Sequence, residues 1–303
     1  MRSSLGYALL AARLGTAWRR RPLDLVWAAL TPAERAHLER EAGVLAARGV
    51  RATSPDEYGP LFHTGPYEAI GPRVLAVCGA REARGSAVPL AELAARLAVQ
   101  AGATVIAGDT EGAEAAAVAT ALDAGGLAVS VLSEGLGHDE PDRAGPAGAP
   151  SRDRSPAAGV RHVIVSPCAP GQPWSVDAAM ARNAAIAELC TALVAIGAAG
   201  TGATLDAGMR ALAAGRPVLA VGATAGSRLL VDYGATAAVD EIELTWWLNT
   251  RLGTRHQPAT ARVPSAAPPD RARSCGEGSR PPAGSRPEGR AAWHRPAHHW
   301  STA

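Results

Sequence analysis

From residue 73 onward, short apolar runs alternate with stretches in which hydrophobic residues recur every third or fourth position. Val74-Leu75-Ala76-Val77-Cys78 is a continuous apolar run stopped by Gly79, and Ala87–Gln100 then has helical periodicity. The unit repeats: Thr104–Ala107 and Gly108 precede a helical pattern from Glu111 to Ala124, and Leu127–Leu132 follows Gly125-Gly126. Further along, His162–Ser166, Leu193–Ile196 and Pro217–Val221 read as strands, with helical patterns at Val176–Leu189 and Thr201–Ala214 between them. Strands without polar alternation are buried on both faces. The spacing therefore predicts an α/β domain: a doubly wound, mostly parallel, Rossmann-like sheet covered by helices on both sides.

The flanks differ. Residues 1–72 predict a helical and extended lead-in. Thr31-Pro32-Ala33-Glu34 is an N-cap with Pro at the first and Glu at the third helical position, opening a helix to about Ala47 that Gly49 closes. Val50–Leu61 reads as extended chain with a turn at Ser54-Pro55-Asp56. Leu5–Trp18 is partly apolar, but Arg13 interrupts it and Arg19–Arg21 follow it, which suits an amphipathic surface helix of a soluble, cytoplasmic protein better than a leader or a membrane span. The main domain is expected over 73–252, carrying a polar Pro/Gly/Ser/Arg-rich insertion at 137–159. Residues 253–303 lack periodicity and are expected to form a disordered basic tail, with Trp293, Trp300, His294, His298 and His299 near its end.

Composition narrows the chemistry. Of the 303 residues, 47% are hydrophobic and 19% charged, enough apolar material for a sizeable core. All 30 basic side chains are arginine. The absence of lysine removes Schiff-base catalysis and the Walker-type phosphate lysine. Residues 251–303 hold nine arginines against Asp270, Glu277 and Glu288, a surplus of six, which leaves 21 arginines against 25 acids in residues 1–250. The body is mildly acidic, so an anion site on it must be local. Cys78, Cys168, Cys190 and Cys275 form no CxxC pair and have no histidine at ligand spacing; reduced structural thiols and no metal site are expected.

In open parallel sheets, ligands sit outside the carboxyl ends of the strands, against helix N-termini that present free N–H groups. Four such ends carry small residues: Gly79-Ala80-Arg81, Gly108-Asp109-Thr110-Glu111-Gly112, Ser166-Pro167, and Gly197 through Thr204. Glycine lets the backbone approach an anion, and the Thr201 and Thr204 hydroxyls add hydrogen bonds to phosphate oxygens. Arg81 and Arg182 supply guanidinium groups, and Asn183 a base-edge or phosphate contact. The candidate phosphate or DNA contacts are thus Gly79, Arg81, Gly108, Thr110, Gly112, Arg182, Asn183, Gly200, Thr201, Gly202 and Thr204. Because a GxGxxG turn is absent after the first buried strand, a nicotinamide or flavin cofactor is disfavoured, and none is expected.

Over residues 50–222 the ordered succession of these loops resembles the DprA (Smf) DNA-processing proteins, Rossmann-like relatives of LOG-type nucleotide hydrolases. Val77-Cys78-Gly79-Ala80-Arg81 stands where that family has a Gly-Ser-Arg turn, and Ala107 through Ala117 where it has Ser-Gly-x-Ala-x-Gly-Ile-Asp-x-x-Ala. Ala124–Val129 is similar to its Gly-Gly-x-Thr strand entry and Ala181-Arg182-Asn183-Ala184-Ala185-Ile186 to its Arg-Asn-Arg segment. Gly200-Thr201-Gly202-Ala203-Thr204 through Gly215-Arg216-Pro217-Val218 resembles its Ser-Gly-Thr loop, helix and Gly-Arg-Pro strand entry, and Ser54-Pro55-Asp56-Glu57-Tyr58 its Asp-x-Tyr-Pro approach. The chain departs from the pattern at Ala184 for the second Arg, Glu114 for Asp, Val118 for a usual His, and Pro167 for Glu.

The resemblance implies a cytoplasmic homodimer, not an enzyme, that binds single-stranded DNA and hands it to the recombinase RecA in natural transformation. Two alternatives stay open. A LOG-like phosphoribohydrolase would use the same cradle for a nucleotide, although Thr204 occupies the place of a catalytic Glu, leaving Glu111 or Glu114 to act on a ribose. A degenerate paralogue would keep the fold and bind nothing strongly.

Overall fold

The computed structural model describes residues 4–15, 17, 22–53, 59–79, 84–137 and 161–253. The expected turn at Ser54-Pro55-Asp56, the 138–159 part of the insertion, the tail beyond Gly253, Arg81 and Cys275 lie outside them.

Three helices come first: α1 (Ser4–Leu14), α2 (Leu23–Ala29) and α3 (Pro32–Ala47). Thr31 caps α3 with the reciprocal box its sequence announces: its hydroxyl accepts from the Glu34 amide at 3.2 Å while the Glu34 carboxylate accepts from the Thr31 amide at 2.7 Å. Leu5, Leu9 and Leu10 of α1 pack with Leu38 and Leu45 of α3 against Phe62, Leu132 and Leu136. The N-terminal helix thus buries its leucine face.

Two short strands follow, β1 (Arg51–Ala52) and β2 (Phe62–Thr64), then β3 (Val74–Gly79), α4 (Arg84–Gln100), β4 (Thr104–Gly108), α5 (Ala113–Asp123), β5 (Ala128–Val131) and β6 (His162–Ser166). After these come α6 (Val176–Leu189), β7 (Ala192–Ile196), α7 (Ala203–Ala213), β8 (Val218–Val221), α8 (Ala225–Asp232), β9 (Thr236–Ala238) and α9 (Glu241–Leu252). The nine strands form one sheet in the order β1-β2-β6-β5-β4-β3-β7-β8-β9. From β6 through β9 all pairs are parallel, while β2 runs antiparallel to both β1 and β6.

The six strands read from sequence are present, each within a residue or two of its expected bounds. Besides α2 in the lead-in, five of these elements are additional. The lead-in adds β1 and β2 to the sheet, so the sheet continues across residue 73, and α8, β9 and α9 extend it beyond Val221.

Alternation along each strand sorts the core into two layers. Leu75 and Val77 of β3 face α4, α5 and α9, whereas Val74, Ala76 and Cys78 face α6, α7 and α8. Alanines line the contact between α4 and α5: Ala87, Ala91, Ala94, Ala95 and Ala98 on one side, Ala113, Ala117 and Ala121 on the other, none more than 3% exposed. Methyl-sized side chains let the two helices lie close together over β3 and β4.

Candidate functional site

The chain enters the parallel sheet at its middle strand, β3. It winds outward through β4, β5 and β6, crosses back to β7 on the other side of β3, and winds outward again through β8 and β9. The winding reverses between β3 and β7, and in open parallel sheets the ligand crevice lies outside the carboxyl ends of the strands at such a reversal.

The helix caps single out the same place. Ser175 caps α6 by accepting from the Ala178 amide, Thr224 caps α8 by accepting from Ser227, and Asp240 caps α9 by accepting from Ile242 and Glu243. By contrast α5 and α7, which follow β4 and β7 on either side of β3, are capped by Gly112 and Gly202 with no side-chain cap hydrogen bond. Both glycines hold a positive φ, 88° and 113°, that a side chain would strain. In α5 the Ala115 amide donates to the Thr110 carbonyl at 3.2 Å; no side chain of the Gly112 or Gly202 cap covers the remaining first-turn amides of α5 and α7, and the helix dipoles favour an anion there. Gly200, Thr201 and Gly202 are exposed at the mouth of this crevice, and Thr204 is buried in the first turn of α7.

Beneath the loops runs a chain of polar contacts. Arg182, only 4% exposed, reaches Asp109 Oδ1 with Nη1 at 3.4 Å and Asn183 Oδ1 with Nε and Nη2 at 3.3 and 3.1 Å. Asn183 Nδ2 donates to Asp206 Oδ2 at 2.9 Å, and Arg210 Nε donates to the same oxygen at 2.9 Å. Ser133 Oγ donates to Asp109 Oδ1 at 3.4 Å, and Thr110 Oγ1 donates to Glu114 Oε2. Glu114 is itself buried. Desolvation raises its pKa above the usual carboxylate range, against the lowering effects of the Arg182 charge and the Thr110 hydroxyl.

The predicted site residues therefore separate into classes. Gly112, Gly200, Thr201 and Gly202 line the open rim. Arg182 and Asn183 are brought to it from below, where the buried Arg182 guanidinium, expected to contact a phosphate, bonds Asp109 and Asn183, and Asn183 bonds Asp206. Gly79 and Gly108 have a packing reason: a Cβ at Gly79 would stand 2.4 Å from the Ala113 Cβ, and one at Gly108 2.5 Å from Glu114 Oε2. Thr110 holds Glu114. Of the four strand ends, the one at Ser166-Pro167 is closed, because Ser166 Oγ donates to the Glu134 carbonyl at 2.6 Å and accepts from the Cys168 amide at 3.0 Å. Val118, where a histidine is usual in the resembled family, is a core residue at 2% exposure.

Sequence reasoning passed over Asp109 and Asp206, whose meeting with Arg182 and Asn183 is a tertiary event, and Trp174. The latter precedes the cap of α6 on the same carboxyl edge and is half exposed, with Val176 and Met180 also exposed beside it. Among the described residues no group of three or more His, Cys, Asp and Glu could hold a metal ion, and no helix is long and apolar enough to cross a membrane. Cys78, Cys168 and Cys190 are free and buried, and burial pushes the Cys168 thiol up to about 11 and that of Cys190 to about 12.

Residues 51–245 match the model of a protein family described as DNA recombination-mediator protein A. Among solved structures, the chain is similar to DNA processing protein A (DprA) from Streptococcus pneumoniae, with 20% identity and a TM-score of 0.56 over 80% of this chain and 92% of that one. It is also similar to DNA processing protein A from Helicobacter pylori, described for its single-stranded DNA binding mode, with 17% identity and a TM-score of 0.54 over 66% of this chain and 88% of that one. These likenesses are of fold. No curated protein matches the sequence.

Proposed function

The chain belongs to the DNA recombination-mediator protein A family, and from that premise we propose that it processes DNA by binding a single strand along the carboxyl edge of its parallel sheet and passing it to the recombinase RecA during natural transformation. The observation that carries this reading is the pair of glycine-capped helix ends, α5 and α7, flanking the strand where the winding reverses. Open main-chain amides and the exposed Thr201 hydroxyl bind phosphate oxygens without reading sequence. Arg81 adds a guanidinium contact, and Trp174 offers a face on which a base stacks. The mechanism is capture and release: the strand's counterions leave as its phosphates meet the rim, so affinity falls with salt, and no bond in the DNA is made or broken. The protein acts in the cytoplasm.

A homodimer is supported by the far end of the sheet, where Tyr233, Val239, Ile242 and Trp246 are each at least 66% exposed beside the short edge strand β9. The nucleotide-hydrolase alternative loses Glu114, which is buried and held by Thr110, and rests on the exposed Glu111 alone, since Thr204 stands in the place of a catalytic Glu.

Fluorescence anisotropy of a labelled oligothymidine across a salt series tests the reading. The wild type is expected to bind with a negative log–log salt slope. Arg81→Ala should reduce that slope by about 1, and Trp174→Ala should weaken binding about fivefold or more, as loss of one base stack does. Absence of binding at low salt, or release of free base from a nucleoside monophosphate, would overturn it.

A further inference from the structure

We propose that Arg182, Asn183 and Asp206 form a positioning brace that fixes the glycine-capped ends of α5 and α7 relative to each other, so that the two amide rims act as one binding surface. The inference rests on the reading of that rim as the single-strand site, and it assigns these side chains a role other than touching the ligand.

The geometry is continuous. Asp109 lies in the β4–α5 connection, three residues before the Gly112 cap, and Asp206 lies in the first turn of α7. Between them stands α6, whose Arg182 holds Asp109 at 3.4 Å and Asn183 Oδ1 at 3.1 Å, and whose Asn183 donates to Asp206 at 2.9 Å. Three elements distant in sequence are thus tied across the point where the sheet reverses.

Burial decides between bracing and direct contact. The Arg182 side chain is 4% exposed and that of Asp109 12%, so this ion pair is largely dry, and pulling the guanidinium away from it is costly. For Arg182 to reach a phosphate it would have to leave Asp109 and Asn183. Nor is there slack around it. A Cβ at Gly108 would come within 2.5 Å of Glu114 Oε2 and 3.3 Å of Arg182 Nη1, so glycine and guanidinium fill the same small volume. Asn183 suits the link because its amide accepts from Arg182 on one side and donates to Asp206 on the other.

A surface fixed before the ligand arrives does not lose the freedom of its loops on binding, and affinity rises accordingly. Asp206 makes the test sharp, because bracing and simple electrostatics predict opposite signs there. Deleting a carboxylate near a polyanion should tighten binding if charge alone matters. If Asp206 acts through the brace, Asp206→Ala in the full-length protein should weaken oligothymidine binding about tenfold through lost preorganisation. Asp206→Asn, which keeps an acceptor oxygen for Asn183, should restore affinity to within about twofold. The log–log salt slope of Asp206→Ala should equal that of the wild type. Arg182→Gln should also leave the slope unchanged, whereas a direct phosphate ligand would lower it by about 1.

Hydrogen exchange of the unliganded proteins supplies a readout independent of DNA. Asp206→Ala should speed exchange both at the start of α7 and in the 108–116 segment, which it does not touch. Tighter binding by Asp206→Ala, exchange confined to α7, or a reduced salt slope in Arg182→Gln would overturn the brace. If the wild type binds no oligonucleotide while exchange still rises in both segments, the brace stands and the single-strand reading falls.

Discussion

Glu114 is the residue whose chemistry departs furthest from its sequence context. Two acids near the start of a helix read as dipole partners in solvent, yet Glu114 is 3% exposed and its carboxyl titrates above the usual 4.5. Between 4.5 and that raised value the native state binds the proton and the unfolded chain does not. Its contribution is therefore fully present below 4.5 and is lost as pH rises through the folded value. His63 and His162 act in the opposite direction: burial lowers both from 6.5, so stability falls as pH drops below 6.5 and the unfolded chain takes up protons first. Comparing wild type with Glu114→Gln isolates the carboxyl. Urea midpoints measured at intervals from pH 4.5 to 8 should show the variant gaining on wild type as pH rises and losing that advantage toward 4.5. A constant difference across the range would show that Glu114 does not titrate as its burial requires.

At the scale of elements, the cap of α7 joins stability to function. Gly202 sits at φ 113°, so Gly202→Ala should cost about 1–3 kcal/mol of backbone strain, read as a lowered thermal midpoint, and should weaken oligonucleotide binding by displacing the rim. Thr201→Ala, one residue away and exposed, should keep the midpoint and lose only a hydroxyl contact. The glycine at the cap was legible in the sequence because it ends a strand and begins a helix. So were β3 to β8, since strands buried on both faces read as unbroken apolar runs. The short strands toward the two ends of the sheet were not: β1 and β2 have two and three residues and include Arg51, His63 and Thr64, and β9 has two of its three residues exposed. For α9 the signal was present but passed over, in the Asp240 cap and in Leu244, Trp247, Leu248 and Leu252 spaced along one face. The network below the rim had no local signature, because Arg182 and Asp109 lie 73 positions apart. Each alone looks like an ordinary surface charge.

For the whole molecule, the apolar end formed by Ile242 and Trp246, at 78% and 67% exposure, should govern association. Light scattering coupled to size exclusion should give a dimer for the wild type and a monomer for Ile242→Glu combined with Trp246→Glu, and a monomeric wild type would remove the homodimer from the proposal. The opposite end of the sheet is closed differently, by α1 to α3 packing on Phe62. Between the two ends lies the alanine-lined contact of α4 with α5, which carries a warning for mutagenesis. Truncation to alanine, the routine survey of a protein surface or core, is blind at positions that are alanine already, so this seam would appear silent in such a survey. Its sensitivity runs the other way: an added methylene overpacks a contact built from methyl groups and has to be taken up by shifts of the packed neighbours or of the two helices. Only a survey that enlarges side chains would find one of the least forgiving interfaces in the molecule.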